Sequence, residues 1–161
     1  MAIKVFLSHQ KVDFALAIQI GERLKTGHRI DCYLDVIDPY VGGPVETLAD
    51  HIRYELGKCT QLLAVVSLAT NQSQWVPWEI GVATEKNFPL ATFSANNAMP
   101  PEFLRKWPYL RSDRDVDEYA RVSKIADNLY VQKSVTLNES VAHDFATKDF
   151  FRVLRSALGQ G

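Results

Sequence analysis

Residues 61–83 read QLLAVVSLATNQSQWVPWEIGVA, and this stretch decides how the chain is expected to fold. Its first six residues are apolar and rich in Val and Leu, which is typical of a buried strand. The polar residues 70–73 predict a loop, and Ser73 is a suitable N-cap for a helix. The apolar face of that helix carries Val76, Ile80 and Ala83. The stretch therefore predicts a strand, a loop and a helix in succession.

The start of this helix brings a carboxylate close to an indole. Trp75 and Glu79 are four residues apart, so they lie on one face of the helix. Pro77 falls in the first turn, where its missing N–H removes no hydrogen bond. A lone glutamate here is commonly a solvated residue favoured by the helix dipole. Its place just past a buried strand instead marks Glu79 as a candidate site residue.

Length and composition indicate one domain with an ordinary core. The 161 residues are 47% hydrophobic and 23% charged, and the net charge of -1 gives no electrostatic reason to expect nucleic acid or an anionic membrane as partner. Cys32 and Cys59 match no metal or redox spacing, so they are predicted to be reduced core thiols. His28, His51 and His143 are scattered and predict no metal site.

The first residues resemble no signal peptide, and no apolar run is long enough to span a membrane. We therefore expect a cytoplasmic protein.

Strands alternate with helices along the first two thirds of the chain. Strands are predicted at residues 3–7, 29–34, 61–66, 88–93 and, weakly marked, 109–111. Helices are predicted from Asp13 to about Gly27, at 45–58, from 73 to 87, at 116–130 and at 141–158. This alternation predicts a flavodoxin-like parallel sheet of order 2-1-3-4-5 with helices on both faces. We expect an α/β core over residues 1–112 and C-terminal helices over 113–161 packed on the same domain.

Ligands of open parallel sheets bind outside the carboxyl ends of the strands, where the strand order reverses. In the predicted topology this crevice lies between the first and third strands, with the loop 35–43 overhanging it from the second. The residues that this topology gathers as candidates for ligand binding are Ser8, His9, Gln10, Asp35, Asp38, Ser73 and Trp75. No G-x-G-x-x-G run follows the first strand, which argues against a dinucleotide fold of the dehydrogenase type.

Several of these residues also have ordinary structural explanations. His9 is equally a polar strand end, and Asp13 is as good a helix cap as a ligand group. Asp35 and Asp38 are also turn formers in a loop rich in Pro and Gly. Trp75 is equally a core residue. The sequence leaves these alternatives open.

Three segments together resemble a Toll/interleukin-1 receptor (TIR) domain. They are VFLSH at 5–9 with Asp13, the loop from Asp35 to Gly42, and Ser73-x-Trp75-x-x-x-Glu79. The resemblance covers about residues 3 to 95 and implies the flavodoxin-like fold. The C-terminal third resembles the extensions of stand-alone prokaryotic members, including the TIR enzymes of Thoeris antiphage defence.

For an enzymatic member, the resemblance implies cleavage of NAD at the nicotinamide ribose, with NAD as substrate and no further cofactor. Glu79 stands at the position of the family's glutamate and would be catalytic. Ordinary glycosidases use two carboxylates, one of which protonates the leaving group. The nicotinamide ring of NAD is positively charged and departs as a neutral molecule, so it needs no general acid. Trp75 would then stack on the dinucleotide or exclude water. The oxygens of the ribose or phosphates would be held by Ser8, His9 and Gln10. The loop 35–43 would act as a lid.

The products implied are nicotinamide with ADP-ribose or a cyclic ADP-ribose isomer, which serves as a signal in antiphage immunity. A separate effector would read that product, and self-association through TIR surfaces is expected. The main alternative is a non-enzymatic interaction module that engages other TIR domains through the loop 35–43 and its helix surfaces. A further alternative is an enzyme similar to nucleoside deoxyribosyltransferases, which would act on free nucleosides and ignore NAD.

Overall fold

Five parallel strands form one sheet in a computed structural model that describes residues 2–34, 45–68, 70 and 75–161. The strands are β1 (Lys4–His9), β2 (Asp31–Leu34), β3 (Gln61–Val66), β4 (Leu90–Ser94) and β5 (Tyr109–Leu110). Their order, β2-β1-β3-β4-β5, confirms the predicted flavodoxin-like sheet. The weakly marked fifth strand is present as a two-residue edge strand beside β4.

Five α-helices accompany the sheet within the described residues. They are α1 (Phe14–His28), α2 (Val45–Gly57), α3 (Trp75–Glu85), α4 (Asp113–Lys133) and α5 (Glu139–Ala157). Each predicted helix is present, with its ends displaced by a few residues. No helix in the described ranges has both the length and the apolar character needed to cross a membrane.

Two hydrophobic cores lie on opposite faces of the sheet, because successive side chains of a strand point to opposite sides. Leu7 points into the core that α1 and α4 cover, while its neighbour Phe6 points into the core beneath α2 and α3. Helix α5 packs along α4 and contributes Phe150 and Leu154 to the first core. The C-terminal helices therefore bury apolar surface against the sheet domain itself.

Helix α1 has the predicted bounds to within one residue, but its two caps differ from the local signals in the sequence. Asp13 occupies the N-cap position, but its side chain makes no capping hydrogen bond. The helix continues past Gly27 to His28, and Arg29 ends it in the left-handed conformation, with φ of 59°. This end returns the chain to the core at Ile30, whose N–H bonds to the carbonyl of Leu24. The left-handed residue at this end is therefore Arg29 and not the nearby glycine.

Candidate functional site

Glu79 lies on the buried face of α3, which faces the sheet. Val76, Ile80 and Ala83 form the buried stripe of α3, and Glu79 lies three residues after the first of these and four before the last. Positions with this spacing share one face of a helix. Glu79 is consequently 1% exposed, and its carboxylate points toward the sheet rather than toward solvent. A buried carboxylate is costly unless other groups stabilise it.

Ser8 supplies a hydrogen bond to this carboxylate. β1 continues through Ser8 and His9, which the sequence placed just past the strand. The alternation of side chains puts Ser8 on the same face as Phe6, toward α2 and α3. Its buried hydroxyl donates to Oε2 of Glu79. The structure therefore brings together two candidate site residues that are distant in sequence.

His9 and Gln10 lie at the same end of β1 but in different surroundings. The His9 ring is buried, stacks on Phe14 of α1 with 6.4 Å between ring centroids, and places Nδ1 2.9 Å from the carbonyl oxygen of Leu7. It thus lies on the α1 face of the strand, opposite Ser8. Gln10 is half-buried, and its carbonyl accepts from the N–H of Asp13 to begin a short 3-10 turn.

Trp75 is the first residue of α3, one turn before Glu79. Its indole is half-buried and meets Trp78 edge to face, with centroids 5.4 Å apart. Trp78 packs in turn against the core beneath α2 and α3. This contact holds the Trp75 indole at the end of α3 that carries Glu79. The other predicted binding residues, Asp35, Asp38 and Ser73, and the loop 35–43 lie outside the described residues.

A second polar link, which the sequence analysis missed, joins the end of β3 to the start of α1. The hydroxyl of Ser67 donates to Oδ2 of Asp13 at 2.8 Å, and the Ser67 N–H donates to Oγ1 of Thr70 at 2.9 Å. The sequence signal that could have identified Ser67 is its hydroxyl directly after a buried strand. Its pairing with a residue 54 positions away depends on the neighbouring placement of β1 and β3.

Further hydroxyls lie on the sheet face beneath α3. In register, Ser8 pairs with Ala64 and Ala64 with Thr92, so the three side chains share that face. The alternation along β4 places Ser94 there as well. Among the described residues, neither the Thr92 nor the Ser94 hydroxyl has a hydrogen-bond partner, although both are buried. The floor beside Glu79 is therefore more polar than the core around it.

The chemistry available here is that of one buried carboxylate held by a donor. Within the described residues no group of three His, Cys, Asp or Glu side chains could hold a metal ion. A negative charge shielded from water stabilises a positive charge that develops beside it more strongly than a solvated carboxylate does. The geometry thus suits a reaction whose transition state gains positive charge.

Comparisons with known proteins are consistent with this fold. The sequence model of the TIR domain family matches residues 5–126. The SEFIR domain of IL-17 receptor B superposes with a TM-score of 0.54 at 10% identity, covering 74% of this chain and 93% of that one. The TIR domains of the activated Roq1 resistosome recognising the effector XopQ give a TM-score of 0.48 at 14% identity, covering 98% of both chains. Comparison with curated protein sequences gives no match.

Proposed function

Because the chain belongs to the TIR domain family, we propose that it is an enzyme that cleaves the nicotinamide–ribose bond of NAD. The family includes both NAD-cleaving enzymes and adaptors, so membership alone does not select between them. One observation carries the proposal: Glu79 is buried at the start of α3 and accepts a hydrogen bond from Ser8 at the end of β1.

In the proposed reaction the bond between ribose C1′ and the nicotinamide nitrogen breaks, and both of its electrons go to the ring. The ring nitrogen loses its positive charge, so nicotinamide leaves as a neutral molecule and no proton has to be delivered. The ribose becomes an oxocarbenium-like cation. Glu79 accepts hydrogen bonds from the ribose hydroxyls and stabilises this cation electrostatically. Ser8 holds the carboxylate in position, and Trp75 limits the access of water from the open side.

The nucleophile that reaches C1′ determines the product. Water adds to the cation, loses a proton and gives ADP-ribose, whereas a ring nitrogen or hydroxyl of the same ADP-ribose gives a cyclic isomer. We infer that the product acts in the cytoplasm as a signal in antiphage immunity and is read by a separate effector. The resemblance of the C-terminal third to the extensions of Thoeris TIR enzymes supports this role.

A second candidate function is a non-enzymatic TIR interaction module. Exposed apolar side chains near the junction of α4 and α5 favour self-association, which either function would use. These residues are Val131, Val135, Leu137, Val141 and Phe145.

Incubation of the purified chain with NAD at high protein concentration separates the two candidates, with products resolved by chromatography and mass detection. We expect free nicotinamide in molar balance with ADP-ribose or a cyclic isomer, and the product mass distinguishes these two outcomes. A protein that self-associates but leaves NAD intact, even in infected-cell extract that supplies a trigger, would select the interaction module.

A further inference from the structure

The edge strand β5 directs one pair of backbone groups away from the sheet. Thr92 of β4 pairs with Tyr109, and the N–H of Thr92 donates to the carbonyl of Pro108. Alternate residues of a strand direct their N–H and C=O groups to opposite sides. Because Pro108 and Leu110 face β4, Tyr109 directs both of its groups outward. Backbone groups exposed in this way at a sheet edge form a template for pairing with another strand.

Both outward groups of Tyr109 are hydrogen-bonded to one side chain from the segment that follows α5. The N–H of Tyr109 donates to Oε1 of Gln160 at 3.0 Å. Nε2 of Gln160 donates to the carbonyl of Tyr109 at 2.7 Å. The carboxamide offers a donor and an acceptor side by side, as a residue of a neighbouring strand does. Gln160 therefore closes the β5 edge in the manner of an added strand.

The backbone just past β5 is covered in a similar way. The N–H of Arg111 donates to Oδ2 of Asp115 at 2.9 Å, and the Arg111 guanidinium lies 5.5 Å from the centroid of the Tyr109 ring. Short edge strands that side chains cover are protected against pairing with another chain. Gln160 lies outside residues 5–126, which match the TIR family model. This closure therefore belongs to the C-terminal third of the chain.

We propose that the β5 edge is an interaction surface for a second copy of this chain, and that Gln160 keeps it closed. Two chains related by a two-fold axis place Tyr109 opposite its counterpart in an antiparallel pair. Residues opposed in this way exchange both N–H···O bonds, so the outward groups of Tyr109 are complementary to themselves. Gln160 uses the same two groups within one chain, so the closed and paired states exclude each other. This surface does not depend on NAD cleavage.

Gln160→Ala tests the proposal because it frees both outward groups. In dilute protein the Tyr109 amide should exchange its hydrogen about tenfold faster than in the parent, since it loses its acceptor. Sedimentation equilibrium should show association about tenfold stronger than that of the parent, with the Tyr109 amide protected again in the dimer. A chain without residues 159–161 should behave in the same way. Gln132→Ala removes an exposed glutamine of α4 and should match the parent in both measurements.

Two substitutions at Tyr109, each made in the Gln160→Ala chain, show whether the dimer forms through this edge. Tyr109→Pro lacks the N–H, but that N–H faces outward, so the ladder with β4 keeps its bonds. Tyr109→Val keeps the N–H. We expect the Val chain to associate as the Gln160→Ala chain does and the Pro chain to return to the parent's association. Equal association of the Pro and Val chains, or association unchanged by Gln160→Ala, would overturn the proposal.

Discussion

The hydroxyl of Ser8 donates a hydrogen bond to Oε2 of Glu79, which links the end of β1 to the start of α3. Both side chains are buried, so the bond forms where water competes poorly. The sheet order places β1 next to β3, whose connection leads into α3. The candidate site thus depends on the same strand reversal that creates ligand crevices in other parallel sheets.

Ser8→Ala should weaken both stability and the proposed activity. Loss of the hydroxyl leaves a buried carboxylate oxygen without this donor, which typically costs about 1–3 kcal/mol in the free energy of unfolding. We also expect about a tenfold loss of NAD cleavage, because Glu79 is held less firmly. Urea denaturation and nicotinamide release measure the two effects.

Ser94→Ala is the matched control for this substitution. Ser94 is also buried at the end of a strand, but its hydroxyl has no hydrogen-bond partner among the described residues. Its removal should change the free energy of unfolding by less than about 1 kcal/mol, since no bond is lost. Equal destabilisation by the two substitutions would show that the Ser8 hydrogen bond makes no particular contribution to the free energy of unfolding.

Acid should weaken the contact between α1 and α4. Arg23 donates two hydrogen bonds to Asp117, and His28 donates a third, which lowers the pKa of the Asp117 carboxyl to about 2. The folded pKa lies below the ordinary value near 3.9, so the contribution is complete above about pH 4 and is lost as the pH falls toward 2.

Asp117→Asn tests this contribution. The Asp117 side chain is 38% exposed, so solvent screening limits the expected loss to about 1 kcal/mol at pH 7. The variant should also show a shallower fall in stability between pH 4 and 2. Asp113→Asn, a more exposed carboxylate 3.6 Å from the same guanidinium, should have a smaller effect. Parallel pH–stability curves for parent and Asp117→Asn would refute the assignment.

Both cysteines should react slowly in the native protein. Burial raises the pKa of Cys32 to about 12 and that of Cys59 to about 11. Only the thiolate is nucleophilic, so at neutral pH the rates should fall roughly 10²- to 10³-fold below that of an ordinary thiol. Labelling with a thiol-specific disulfide reagent, before and after unfolding in urea, measures this. Labelling at the free-thiol rate before unfolding would contradict the burial of these thiols.

The sheet was predictable because its strands are short apolar runs separated by helices with a clear period. β3 matches its predicted bounds, and even the two-residue β5 was placed correctly. The end of α1 was placed to within one residue, but the left-handed residue there is Arg29 and not Gly27, because the return of the chain to the core at Ile30 is a tertiary effect. Local patterns therefore identify elements better than they identify their ends.

The candidate site was predictable in part. The sequence marks Glu79 as a candidate site residue, and the predicted strand order gathers it with Ser8 at one edge of the sheet. The burial of Glu79 on the inner face of α3 was not predicted. The bond between Asp13 and Ser67 was not predictable, because capping of α1 is the common use of an aspartate at that position. The orientation of His9 toward Phe14 depends on β1 continuing past Ser8.

Release of nicotinamide from NAD by the parent protein, Glu79→Gln and Glu85→Gln is the most direct test of the central claim. Glu79→Gln keeps the shape of the side chain but removes its charge, so we expect release to fall at least about 10²-fold with the fold retained by circular dichroism. Glu85 is an exposed glutamate at the other end of the same helix, and its substitution should leave release unchanged. Undiminished nicotinamide release by a folded Glu79→Gln protein would contradict the account.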